Sequence, residues 1–130
     1  MSTHAPTLAD IDEIARAALK ALPAPFAGHV KDVVVQVTEF PEDGVCEEME
    51  LESPFDILGL YQGIALDEKT SDSSGALPDM VFLYRRPILD YWCENGLDLA
   101  DIVRHVLIHE IGHHFGFSDA EMEAVEAGGA

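Results

Sequence analysis

The sequence predicts an α+β chain, with helices towards both ends and short strands between them. Three observations carry that expectation. Apolar residues recur at helical spacing near both ends of the chain, and short β-branched or apolar runs lie between them. The length of 130 residues suits one hydrophobic core, so residues 1–130 are read as a single domain. With 48% apolar residues and Pro and Gly separating the periodic segments, the composition is that of a globular chain.

The first helix is expected over residues 8 to about 21, where Leu8, Ile11, Ile14, Ala18, Leu19 and Leu22 repeat at helical spacing. Thr7 is placed to cap it, Asp10 to complete a capping box, and Pro23 to end it. Val33 to Val37 is short and β-branched and reads as a largely buried strand. The acidic stretch from Pro41 to Pro54 reads as a loop or lid. Leu58 to Leu66 is a second strand, followed by a polar loop through Ser71, Ser73, Ser74 and Gly75 to Pro78. Met80 to Tyr84 is a third strand, and its backbone is a candidate to receive an extended peptide as an added strand. Ile88 to Asn95, after Pro87, reads as a helix stopped by Gly96. A longer helix is expected from about Asp98 to Phe115, ended by Gly116. Ser118 or Asp119 then caps a last helix to about Ala127.

The net charge of −18 argues against a nucleic-acid partner, since phosphate contacts require clustered Lys and Arg. The acidic run Glu47, Glu48, Glu50, Glu52 reads as solvated surface. Cys46 and Cys93 are far apart, match no metal-binding pair, and read as reduced thiols of a cytoplasmic protein. Asp10, Asp12 and Glu13 fall where a signal peptide would be most apolar, and no run reaches membrane-spanning length, so no membrane association is expected. Nothing in the sequence specifies an oligomeric state.

The segment that carries chemistry is His109-Glu110-Ile111-Gly112-His113, an HExxH pattern inside the long helix. Histidines four apart stand about 6 Å along the helix axis and ~40° around it, so both imidazoles can reach one metal ion, and zinc suits them. Glu110 lies roughly 100° from His109, beside that ion, where it can take a proton from a bound water. His105 extends the stripe, but it is about 12 Å along the axis from His113, too far to share one ion with both. The residue after His105 is Val106, where a base would be needed, so His109/His113 is the chemically complete pair. His105 is read as a structural or supporting donor and His114 as an ordinary polar contact.

A catalytic zinc takes three protein ligands and a water. Gly116 follows His113 by three residues and permits a turn, after which Asp119 can return a carboxylate to the ion. Glu121, Glu123 and Glu126 are its competitors if the last helix supplies the ligand. One zinc per chain is expected. Tyr84, Arg85, Arg86 and Tyr91 are candidates by residue type to stabilise an oxyanion.

The pattern HExxHxxGxxD resembles the extended zinc signature of metzincins, with aspartate in place of the third histidine. More closely, LGLYQG at 58–63, LPDMVFLYRRPI at 77–88 and HVLIHEIGHHFGFSD at 105–119 resemble the small bacterial zincin-like metallopeptidases, the minimal zincins. The resemblance spans residues 55 to 125, and its last segment is the chemically specific one. It implies a compact zincin-like domain with a small sheet beside a buried HExxH helix. It also implies His109, His113 and Asp119 as zinc ligands, Glu110 as general base, and a peptide or protein substrate. No metzincin Met-turn follows, because Met122 comes too soon. The competing expectation is a zinc-binding regulatory or interaction domain without catalysis, since the fold alone does not decide activity.

Overall fold

The computed structural model describes residues 5–24, 26–63 and 79–128. Helix α1 (Leu8–Lys20) opens with the expected capping box: the Asp10 N–H donates to Thr7 Oγ1, and Asp10 Oδ2 accepts from the Thr7 N–H. It leads through a 3-10 turn at Phe26–Gly28 to strand β1 (Val34–Thr38). The acidic segment that follows is not the irregular loop expected. It folds into a six-residue helix α2 (Asp43–Glu48) and a 3-10 turn at Pro54–Asp56, the latter closed by a Ser53/Asp56 capping box. Neither carries an apolar stripe, which is why the hydrophobic pattern does not announce them.

Strand β2 (Gly59–Gln62) and strand β3 (Met80–Tyr84) complete a three-stranded sheet of order β1-β3-β2. β1 runs parallel to β3, with Val34 opposite Met80, and β2 runs antiparallel to it, with Gly59 opposite Leu83. Met80 to Tyr84 is therefore the central strand, paired on both sides, and is not available to receive a further strand. Among the described residues β1 and β2 are the two edge strands. The expected end of that strand, 64–66, and the polar loop through 71–78 lie outside the described residues.

Helix α3 (Arg85–Asn95) starts three residues earlier than Ile88, because a proline in the first turn lacks only an N–H that needs no intrahelical partner. Gly96, at φ 65°, ends it. Helices α4 (Leu99–Phe115) and α5 (Asp119–Gly128) follow.

The inward face of the sheet, with Val35, Val81 and Leu83 at alternate positions, packs with α1 and α4 into one apolar cluster. Ile11, Ala15, Phe26, Ile88, Val103, Leu107, Ile108, Ile111 and Met122 are fully buried in it. The architecture is α+β, with α4 crossing the middle of the core. No described helix is long and apolar enough to cross a membrane.

Candidate metal centre

Helix α4 owes its rigidity to burial and to both of its ends. Asp98 caps the start, its Oδ1 accepting from the Ala100 N–H at 3.1 Å. At the other end Gly116 adopts φ 81°, a left-handed conformation open to glycine without strain. The Phe117 N–H then closes onto the Gly112 carbonyl at 2.8 Å, and Phe117 stacks on Phe26 with ring centroids 4.7 Å apart. Ile102, Val103, Val106, Leu107, Ile108 and Ile111 hold the helix in the core. His105, His109 and His113 form a stripe on its remaining accessible side, with His109 half-buried and the other two exposed.

Glu110 lies on a different face and meets strand β2. The Tyr84 N–H donates to the Leu58 carbonyl, so residues 58, 60 and 62 bond towards β3 and the backbone groups of Gly59 and Tyr61 point away from it. The Tyr61 N–H accordingly reaches Glu110 Oε1 at 3.3 Å. Burial pushes the Glu110 carboxyl pKa up. The Tyr61 N–H and the nearby His113 and His109 oppose that shift without cancelling it. Tyr61 is itself fixed on two sides: its hydroxyl donates to Asp79 at 2.9 Å, and its ring stacks on His114 at 3.9 Å. His114 thus belongs to the β2 side of the helix, away from the histidine stripe. Gly59 makes the close approach possible, since a Cβ there would lie 2.7 Å from Val106 Cγ1 and 2.9 Å from the Phe82 carbonyl oxygen.

Helix α5 turns back along the histidine side. A Cβ on Gly112 would stand 2.3 Å from Met122 Sδ, so glycine inside the HExxH motif is what lets fully buried Met122 seat against α4. Ser118 and Glu121 form the N-terminal capping box of α5, with distances of 2.9 and 3.1 Å. The Arg104 guanidinium grips the carbonyls of Val125 and Glu126 at its other end, at 3.1 and 3.2 Å.

Carboxylates of α5 thereby face the stripe. Asp119 Oδ1 is 3.9 Å from His113 Nε2. Glu126 lies against the other two histidines, its oxygens 2.7 Å from His109 Nε2 and 2.9 Å from His105 Nδ1. Burial raises the Glu126 carboxyl pKa, but the hydrogen bonds and charges of His105 and His109 outweigh this and leave it below the usual range. Glu123 borders the same open depression, about 450 Å³, together with His105, His109, Glu126 and Ala127. Glu121 is committed to the cap. The close contact between Glu126 and the histidines was not singled out by sequence reasoning, which left Glu126 among three competing glutamates. The signal that could have done so is the tight turn at Gly116, which runs α5 back along α4.

Of the four candidate oxyanion residues, Tyr84 is buried at the end of β3, and its phenol is pushed up to about 12 by burial and then by the charge of Glu110. The others are engaged or distant in character: Arg85 binds Glu39 and the Pro6 carbonyl, Arg86 lies over Phe40, and Tyr91 is exposed.

Imidazole nitrogens with carboxylates opposite them are the donor set of a zinc site, whose ligands at about 2.0–2.2 Å stand a little over 3 Å from one another. His113 and Asp119 stand 3.9 Å apart, but among the described residues the donors that lie within 4.8 Å of one another are those of His105, His109 and Glu126, and His109 Nε2 is turned to Glu126. The donor chemistry fits such an ion, and His109 must swing from Glu126 to share one with His113 and Asp119. The family profile of zincin-like metallopeptidases matches residues 30–129. The chain belongs to that family. The match takes in the sheet and helices α2 to α5 of this zincin-like metallopeptidase and leaves out α1. No curated protein matches the chain.

Proposed function

We propose that the chain is a zinc-dependent peptide hydrolase in which His109, His113 and Asp119 hold one zinc ion and Glu110 is the general base. The observation that carries this reading is the placement of Glu110. It is half-buried, pinned through one oxygen by the Tyr61 N–H, and near His109 and His113 without being hydrogen-bonded to either. Its second oxygen is left to accept a proton.

A bound zinc would supply Lewis-acid polarisation of the scissile carbonyl and a water of lowered pKa. Glu110 takes the proton of that water and returns it to the leaving amine, and a raised carboxyl pKa makes it a stronger base for the first step. Among the described residues no strand pairs with the outer edge of β2. An extended peptide laid along that edge would meet the outward carbonyl of Tyr61 beside Glu110. Substrate recognition is therefore assigned to β2 and not to the central strand.

The test compares wild type with Glu110→Gln on a mixed library of unfolded peptides, reading cleavage by mass spectrometry and zinc on the same samples. Glu110→Gln should keep its zinc and lose on the order of 10²–10⁴ in rate. Equal cleavage by both proteins would refute the role of Glu110. No cleavage by zinc-loaded wild type would instead favour a zinc-binding regulatory domain. In parallel, Asp119→Ala should weaken zinc binding strongly while Glu121→Ala does little. The reverse result would move the third ligand elsewhere on α5.

A further inference from the structure

The proposed catalytic set uses the last two histidines of the α4 stripe and leaves the first unassigned. His105 is nevertheless part of the tightest group of donors on that side of the helix. His105 Nδ1, His109 Nε2 and a Glu126 oxygen all lie within 4.8 Å of one another. Glu126 touches both rings, at 2.9 and 2.7 Å. The His105 and His109 ring centroids are 4.1 Å apart. Ligands of a tetrahedral ion bound at about 2.0–2.2 Å need a mutual spacing a little over 3 Å, so small side-chain adjustments would admit one.

Two further observations separate this group from a chance surface contact. Glu126 is held in register by packing, because Met122 is seated against Gly112 one turn before it and Arg104 holds its own carbonyl. The open depression bordered by His105, His109 and Glu126 also gives an ion and its remaining water a route in.

We infer that His105, His109 and Glu126 form a second site for a divalent transition-metal ion, with zinc the best match to two imidazoles and a carboxylate. It shares His109 with the proposed catalytic set. Because His109 Nε2 bonds one ion at a time, the two sites exclude each other, and the chain holds one ion at either of two positions. The exclusion rests on the catalytic ligand set proposed above, whereas the site itself does not. At this second position Val106 follows the first histidine, His105, as Glu110 follows His109 in the catalytic pair, so an ion there lacks a base in the corresponding place. It is a resting position, from which transfer to His113 and Asp119 would complete the hydrolytic site.

The test is a zinc titration, with bound metal counted by elemental analysis, on the full chain. The proteins are wild type, His105→Ala, His113→Ala and the double variant His105→Ala/His113→Ala. Circular dichroism checks each fold, and the replaced side chains are exposed. Wild type and His105→Ala should each bind one zinc. His113→Ala should also retain one zinc, more weakly, and zinc added to it should shift the His105 ring nitrogens in an NMR spectrum. The double variant should fall below His113→Ala by at least the roughly 10–100-fold that loss of an outer metal-site partner costs. If His113→Ala binds no zinc, or binds it without moving His105, the second site does not exist and the catalytic assignment stands. If His105→Ala abolishes binding while His113→Ala has no effect, the second site is upheld and the catalytic assignment fails.

Discussion

Helix α4 has a neighbour on each of two faces, and a glycine brings each one close. Towards β2 the glycine is on the strand: Gly59 lets the backbone settle against Val106 and places the Tyr61 N–H on Glu110. Towards α5 the glycine is on α4 itself: Gly112 receives Met122 and sets the register that puts Asp119 and Glu126 opposite the histidines. The first seam is made of backbone, with a carbonyl of β3 close by, and has little freedom to adjust. The second is made of side chains, and its carboxylates can choose between histidines. A base requires a fixed position, whereas metal ligands must rearrange as an ion enters, and the roles proposed for Glu110 and for the histidine side would divide the two seams along that line.

If the division holds, damage to the α5 seam should appear in metal binding and damage to the β2 seam in turnover. The largest effect is expected from Gly112→Val. Its Cβ would stand 2.3 Å from the Sδ and 2.8 Å from the Cγ of Met122, which is fully buried, so the methionine must repack for the valine to fit. Overpacking of this kind costs about 1–3 kcal/mol, and α5 should loosen with it. Thermal unfolding and a zinc titration read both consequences. A variant of unchanged stability that binds zinc as wild type does would show that α5 is not seated by this contact.

Gly59→Ala attacks the other seam. The added methyl would meet Val106 Cγ1 at 2.7 Å and the Phe82 carbonyl oxygen at 2.9 Å, so β2 must move away from α4 as a whole. Zinc content should stay at the wild-type level. Cleavage should fall by about 10–10²-fold, since a displacement near 1 Å suffices for losses of that order. Loss of zinc with normal specific activity per bound ion would erase the distinction between the seams.

The two seams also differ in how far the sequence disclosed them. The HExxH pattern, its helix and the turn at Gly116 were legible because each is a local rule: four-residue spacing, an uninterrupted apolar run, and a glycine where φ is positive. The Thr7/Asp10 capping box was legible for the same reason. The order of the strands was not, because an apolar run such as Met80–Tyr84 reads alike at the centre of a sheet and at its edge. Only the pairing with both β1 and β2 distinguishes the two. The Tyr61–Glu110 contact was hidden too, since it joins a backbone donor to a side chain 49 residues away. Gly112 and Gly59 reveal their purpose only when the groups opposite them, Met122 and Val106, are known. Helix α2 escaped because six acidic and small residues without a buried member leave no apolar period to find.

The smallest effect separates the two ends of the α5 seam. Ser118→Ala removes the hydroxyl that accepts the Glu121 N–H at 3.1 Å, a cap of a kind worth about 1 kcal/mol. The Ser118 N–H and hydroxyl hold the Glu121 carboxyl below its ordinary pKa. A depressed folded pKa contributes stability that is present above the unfolded value and is lost as pH falls through the folded one. The difference between wild type and Ser118→Ala should therefore be largest near neutral pH and shrink in acid. Asp119 sits in the first turn of α5, next to the missing cap, whereas Glu126 sits in the last turn under the grip of Arg104. Zinc bound through His113 and Asp119 should weaken modestly, while the contacts of Glu126 with His105 and His109 persist in the histidine NMR resonances of the metal-free protein. If the Glu126 contacts loosened first, α5 would be anchored at its start and not at Met122 and Arg104. The assignment of register to those two residues would then be wrong.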